Sequence, residues 1–388
     1  MPILETWLLP DGVADVLPEQ AKVVESLRRK CLDFLATRGY QLVYTPMIEY
    51  IESLSSLSES GQDLDLVTFK LIDQLSGRLI GVRADMTPQI ARIDAHVYPV
   101  NGVARYCYAG AVLHTTAQHF NASRSPLQLG AELYGHDSVA ADLEMIDVML
   151  GLVEQSHITE HLHLDLGHVE LFRSMVKIAG LSKAQERHLS NIYQRKSLPE
   201  LLEFSQQLNY GEDFYHLGRF ASDLEQLQQY LSDDILNNDA FKNALHTLQA
   251  AKQHIQQLWP QVEISVDVVE LRSYHYHTGL VYAVYAPHHA TALAQGGRYD
   301  GIGEHYGRSR PATGFSCDLY TLCAGQFQQL DVVVAPNVDD VQLKKAIAQA
   351  RLQGRSVVQL LGDDDLSSVP YATQQFKQID GQWRIVNL

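Results

Sequence analysis

The sequence is short of cysteine, of positive charge and of long apolar runs, and each shortage closes off a class of function. Its 388 residues hold four cysteines (Cys31, Cys107, Cys317 and Cys323), none in a C-x-x-C pair. A disulfide framework is therefore excluded, and reduced, mostly buried thiols are expected. Lys plus Arg number 30 against 46 Asp plus Glu, a net charge of −16. Nothing more basic than Arg28-Arg29-Lys30 occurs, whereas proteins that grip a polyphosphate backbone usually carry a basic stripe, so no nucleic-acid partner is expected. No apolar stretch approaches the roughly 18 residues of a membrane span. The opening MPILETWLLPDG lacks a basic leader with a long apolar run behind it, which makes the cytoplasm the expected compartment. Internal repeats at solenoid periods are absent too. What remains, 46% hydrophobic and 20% charged residues, is the composition of a soluble globular chain long enough for two or three domains.

Periodicity then places the elements. Val24, Leu27, Cys31 and Leu35 recur at helical spacing within 18–38, and Gly39 stands where a C-cap belongs. YQLVYTP, ending at Pro46, reads as a strand, and FKLID with GRLIGVRAD reads as a hairpin about Ser76-Gly77. Thr87-Pro88 is expected to cap and open a helix through Ile90, Ile93 and Val97. ARYCYAGAVLH and PLQLGAELYG read as strands, followed by a helix carrying Val139, Leu143, Ile146, Leu150 and Val153. From about residue 170 to 258 the texture changes to Gln- and Leu-rich helices. Strand character returns at ISVDVVE, HTGLVYAVYAP and TALAQGG. The tail from Val332 reads strand–helix–strand, with a final hairpin about Asp380-Gly381. This order predicts an α+β fold: an antiparallel sheet flanked by helices, with a helical insertion and a small α/β C-terminal domain. The expected boundaries are 1–325 and 332–388.

Most polar clusters have bland readings. His157, His161 and His163, like His288-His289, lack the third and fourth partners of a metal site, so no metal is expected. His275 and His277 alternate on an expected strand and share a face. Two carboxylates stand out. Glu132 lies among apolar neighbours in LQLGAELYG, and Asp85 sits at a strand-to-helix turn behind Arg83. Burying either requires a donor, and from patterning alone a structural ion pair or an edge strand accounts for both. GGRYDGIGEHYG is dense in glycine, which by itself marks a turn.

Together these segments resemble the catalytic domain of histidyl-tRNA synthetase, a class II synthetase. Pro46 stands where that class's first motif has its proline, in a dimer interface. VRADMT (82–87) resembles the family's LRPEGT, QLGAE (128–132) its QFGVE, RSYHYH (272–277) its RGLDYY, and GGRYDG (296–301) is the family's own sequence. PATGFSCDLYTL (311–322) stands at the third motif. The resemblance implies a class II synthetase-like fold and a histidine-binding pocket. In it Asp85 and Thr87 take the α-ammonium, Gln128 orients the backbone end, Glu132 accepts from the imidazole and Arg272 pairs with the carboxylate. Tyr276 and Tyr299 wall the ring, and His277 replaces a tyrosine.

The departures point away from catalysis. Where the family has FRYE, this chain has Leu113, His114, Thr115 and Thr116, and the following loop keeps only Arg124. Tyr320-Thr321 replaces the Glu-Arg pair of the third motif. Adenylyl transfer depends on positioned positive charge, so His114, Thr116 and Thr321 mark a degenerate ATP site, with no catalytic residue and no cofactor expected. The tail is shorter than the family's anticodon-binding domain and carries Asp363 to Asp365. An emptied nucleotide site beside a retained amino-acid site, with YAGAVL, QLGAELYGHD and YHYHTGLV, is similar to the regulatory subunits of short-form ATP phosphoribosyltransferase. That similarity implies a non-catalytic chain in histidine biosynthesis, self-associating through the class II interface. It would activate a catalytic phosphoribosyltransferase chain and transmit inhibition by L-histidine. A free-standing histidine sensor and an active histidyl-tRNA synthetase are the alternatives.

Overall fold

In a computed structural model, residues 8–54, 62–117, 122–156, 158, 161–271, 274 and 276–388 are described, 62–64 by backbone alone. The chain divides into two units, Met1–Ala14 with Ser26–Ala324, and Asp15–Glu25 with Gly325–Leu388.

The helix Pro18–Ala36 leads into a strand of only two residues, Gln41–Leu42 (β1). YQLVYTP is thus not one strand. After the amide of Val43 donates to the Cys107 carbonyl, the carbonyl and hydroxyl of Thr45 are taken by the Arg83 guanidinium at 2.7 and 2.9 Å. Pro46 follows with no N–H to give a ladder. The chain restarts as Ile48–Tyr50 (β2), which joins Lys70–Ile72 (β3) and Leu79–Val82 (β4) in a separate antiparallel sheet of order β2-β4-β3. The next helix starts one residue away from the expected cap: Met86 is the N-cap and Thr87 the first helical residue of Thr87–Arg92. The Thr87 hydroxyl is engaged elsewhere. The helix widens to a π-turn over Ile93–Val97, where buried Asp94 meets Arg310 at 2.7 Å.

Ala104–Ala111 (β5), Leu127–Tyr134 (β6), His163–His168 (β7), Glu263–Val266 (β8), Leu280–Tyr285 (β9), Ala294–Arg298 (β10) and Ala312–Asp318 (β11) complete the main sheet. Its order is β1-β5-β6-β11-β10-β9-β7-β8. The centre is antiparallel, but both edges are parallel, β1 with β5 and β7 with β8. Parallel neighbours need a long crossover, and helices from Val169 to Leu258 supply one between β7 and β8. The helix Val139–Glu154 packs across β6, β9, β10 and β11. The segment before β9 is not a strand. His277 lies in a coil, and the Arg173 guanidinium takes the carbonyls of Tyr274 and His277 at 3.2 and 2.9 Å. His275 lies outside the described residues.

In the second unit, Val332–Ala335 (β12), Ser356–Gln359 (β13), Ala372–Ile379 (β14) and Gln382–Asn387 (β15) form a sheet of order β13-β12-β14-β15. Positive φ at Asp380 and Gly381 makes the tight turn of the closing hairpin. The helix Val341–Leu352 is capped by Asp340 and packs Leu343, Ile347 and Ala350 on Val333, Val357 and Phe376. Among the described residues no helix is long and apolar enough to cross a membrane.

Candidate functional site: a carboxylate sealed among tyrosines

The third through eighth residues of β6 are buried without a break, and Glu132 lies among them, 1% exposed. It stands opposite Tyr106 on β5 and Gly314 on β11. The cavity for its side chain is made by glycine. A Cβ on Gly314 would collide with Glu132 Oε2, and one on Gly130 with the Tyr108 hydroxyl. Oε1 accepts from the hydroxyls of Thr87 at 3.1 Å and Tyr108 at 2.9 Å, and Oε2 accepts from Tyr299. Burial pushes the carboxyl up to about 8; the hydroxyls of Tyr299 and Tyr108 oppose the shift, the charge of Asp85 adds to it, and the Thr87 hydroxyl again opposes it. Burial therefore favours the acid form of Glu132.

Asp85 sits at the other end of this network. Gln128 is held by the Met86 amide, which donates to its Oε1 at 3.0 Å, so its Nε2 donates to Asp85 Oδ1 at 2.8 Å. The amide of Thr87 donates to the same oxygen at 3.1 Å. Aromatic walls close the site. Tyr276 stacks on Tyr299 with centroids 5.3 Å apart, and Tyr134 meets Tyr299 edge-on at 6.3 Å. His277 is edge-on to Tyr276 at 5.0 Å. Asp85, Thr87, Gln128, Glu132, Tyr276 and Tyr299 thus come together, His277 touches the group through Tyr276, and Arg272 lies outside the described residues. Sequence reasoning missed Tyr108 and Tyr134. The signal was present as alternating tyrosines in ARYCYAGA and a tyrosine closing LQLGAELY, since a buried tyrosine hydroxyl needs a partner.

His114, Arg124 and Thr321, which the resemblance sets at nucleotide positions, are bonded into the framework. His114 is 6% exposed, with Nε2 donating to the Ala84 carbonyl at 2.9 Å. Arg124 gives its guanidinium to the backbone carbonyls of His114 and Asp11, each at 3.0 Å. Thr116 is exposed. The Thr321 hydroxyl donates to Asp318 at 3.2 Å, and Asp318 also accepts from the amides of Leu127 and Tyr320. Burial raises the Asp318 carboxyl. Of these groups Arg124 keeps a fixed positive charge, with its named bonds going to neutral backbone carbonyls.

His163 bonds Asp165 and Ser265 at 2.9 and 3.0 Å, and His157 is not described. All four cysteines are buried thiols, with burial pushing Cys31 and Cys107 up to about 12. Among the described residues no group of three or more His, Cys, Asp and Glu side chains is placed to hold a metal ion.

Comparison with known proteins matches residues 12–322 to the family Histidyl-tRNA synthetase and residues 331–386 to the ATP phosphoribosyltransferase subunit HisZ C-terminal domain. An ATP phosphoribosyltransferase regulatory subunit from Acinetobacter baylyi is 70% identical, over 99% of each chain. Among solved structures, an ATP phosphoribosyltransferase regulatory subunit/histidyl-tRNA synthetase from Bacillus halodurans superposes with a TM-score of 0.82 at 22% identity, covering 97% of this chain and 99% of its own. An ATP phosphoribosyl transferase (HisG:HisZ) complex from Thermotoga maritima contains a chain similar with a TM-score of 0.59 at 17% identity, over 76% of this chain and 97% of that one. At those identities the two structures establish the fold.

Proposed function

We propose a histidine-sensing role for the pocket of this chain, which belongs to the ATP phosphoribosyltransferase regulatory subunit family. It is a non-catalytic regulatory chain of that enzyme, at the first step of L-histidine biosynthesis, and its partner is the catalytic phosphoribosyltransferase chain. The ligand that modulates the pair is L-histidine, bound between Asp85 and Glu132. One observation carries this reading: a dry carboxylate, ringed by hydroxyls and closed by stacked tyrosines, survives beside nucleotide positions that have lost their charge. Asp85, Thr87 and Gln128 take the α-ammonium, Arg272 the carboxylate, and Tyr276 and Tyr299 the ring, with Glu132 at the imidazole. The site takes no cofactor and no metal, and the chain takes no nucleic acid. It works in the cytoplasm.

Self-association belongs to the same reading. The register β2-β4-β3 puts Ile48, Tyr50, Ile80, Val82 and Leu71 on one face of the small sheet. Ile48, Tyr50 and Leu71 are exposed, as is Tyr44 at 76%. An apolar sheet face of this kind is a protein–protein contact, and a second copy of the chain is the proposed occupant.

The test is to mix this chain with the catalytic chain and measure turnover with and without histidine. The rate is expected to rise on mixing, and histidine is expected to inhibit the complex more strongly than the catalytic chain alone. Allosteric couplings of about 1–3 kcal/mol set the expected size, several-fold to a hundredfold. Failure to associate at about micromolar concentrations, or a rate unchanged by mixing, would overturn the role.

A further inference from the structure

The Thr87 hydroxyl stands between two carboxyl groups. Its oxygen is 3.2 Å from Asp85 Oδ1 and 3.1 Å from Glu132 Oε1, with the Tyr108 hydroxyl 3.2 Å away. A hydroxyl has one hydrogen, so it donates to one acid at a time and accepts from another group. The Tyr108 and Tyr299 hydroxyls also converge on Glu132. Three hydroxyls make a solvation shell suited to a carboxylate, yet burial favours the acid form of that group. The hydroxyls are placed to hold a carboxylate once the proton of Glu132 has somewhere to go.

The groups facing Glu132 come from several elements. Tyr108 comes from β5, Tyr134 from β6 itself, Asp85 and Thr87 from the turn after β4, and Tyr276 and Tyr299 from the segments flanking β9 and β10. Tyr40 and Tyr282 act from further off. Facing it from β11 is Gly314, which has no side chain to titrate.

We propose that Thr87 is a positioning residue whose hydroxyl links the acid proton of Glu132 to Asp85, and that this proton passes to the imidazole when histidine binds. In the empty site the Glu132 O–H donates to Thr87 Oγ1, which donates to Asp85. On binding, the Glu132 O–H bond breaks and an N–H bond forms on the ring nitrogen that carried a lone pair. The ring becomes imidazolium and Glu132 a carboxylate, with no net exchange of protons with solvent. The ligand's ammonium takes over Asp85, and the Thr87 hydrogen turns to the new carboxylate. The site thereby selects side chains that can accept a proton, and histidine over its neutral isosteres. This inference rests on the reading of the pocket as a histidine site.

The experiment uses the whole chain and L-histidine labelled with ¹⁵N in the ring, at a pH of about 7.5, where the free ring, with a pKa of about 6.5, is mostly neutral. Ring ¹⁵N shifts in the complex are expected to be those of imidazolium. In Glu132→Gln and Thr87→Val the bound ring is expected to be neutral, the imidazolium fraction falling by about tenfold for loss of a charge-assisted bond. Thr87→Ser, which keeps the hydroxyl, restores the cation. A neutral ring in the unaltered protein overturns the proposal whatever the variants do, and so does an imidazolium signature undiminished in folded Thr87→Val. If calorimetry detects no binding of histidine to the unaltered protein, the reading of the pocket itself fails. Binding with a neutral ring removes the proton transfer alone.

Discussion

Glu132 shows how one residue ties recognition to stability. Its carboxyl is raised from 4.5 to about 8 in the folded chain, so the folded state binds the proton more tightly than the unfolded one. The stability contributed is fully present below the unfolded value of 4.5 and is lost as pH rises toward about 8. Each pH unit inside that window is worth at most ~1.4 kcal/mol for a single group. Glu132→Gln, which keeps the shape but cannot ionise, should therefore lose less melting temperature than the parent between pH about 5 and about 8. Thermal unfolding across that range checks this, and parallel curves would show that Glu132 does not titrate there. Removing the side chain is a different matter. A lost charged hydrogen bond typically costs about 1.5–3 kcal/mol, so Glu132→Ala should weaken histidine binding by about tenfold or more. Unchanged affinity in calorimetry would place the ligand elsewhere.

At the scale of elements, β6 and β11 build the site by leaving side chains out. Gly314 and Gly130 make room for Glu132 Oε2 and for the Tyr108 hydroxyl. Gly314→Ala should cost about 1–3 kcal/mol of stability from overpacking and abolish histidine binding, measured by denaturant unfolding and calorimetry. Retained affinity would mean that Glu132 has another position to occupy. Strands such as β5 and β6 were legible in the sequence because alternation and β-branched or aromatic residues mark them, and the closing hairpin at Asp380-Gly381 because its turn has few solutions. What the sequence hid was decided by distant partners. Arg83 ends the strand at Thr45, Arg173 takes carbonyls about a hundred residues away, and the Thr87 hydroxyl leaves its expected capping role for Glu132. The pocket residues were legible only through resemblance to a known family. Periodicity placed Glu132 in a strand, but an ion pair explained it equally well until the hydroxyls around it were located.

For the whole molecule, assembly and sensing should separate. Leu71→Asp places a charge on the apolar face of the small sheet, where register sets Leu71 beside Ile80 and Tyr50. It is expected to shift the chain to monomers in sedimentation at about micromolar concentration while leaving histidine binding intact. An unchanged oligomeric state would move the contact elsewhere. Conversely, Glu132→Ala should blunt inhibition by histidine while the complex with the catalytic chain still forms. The proposed loss of the nucleotide site has a consequence of another kind, which concerns reversibility. His114 now supports the Ala84 carbonyl, Arg124 ties down the backbone at Asp11, and Asp318 has built a local hydrogen-bond shell that includes Thr321. Putting arginine back at 114 and 321 would evict a buried imidazole and break that shell. The double variant is expected to lose stability and to show no histidine-dependent pyrophosphate exchange. On the proposed reading adenylyl transfer is shut behind a ratchet, because the places where that chemistry needs charge are part of what holds the chain together.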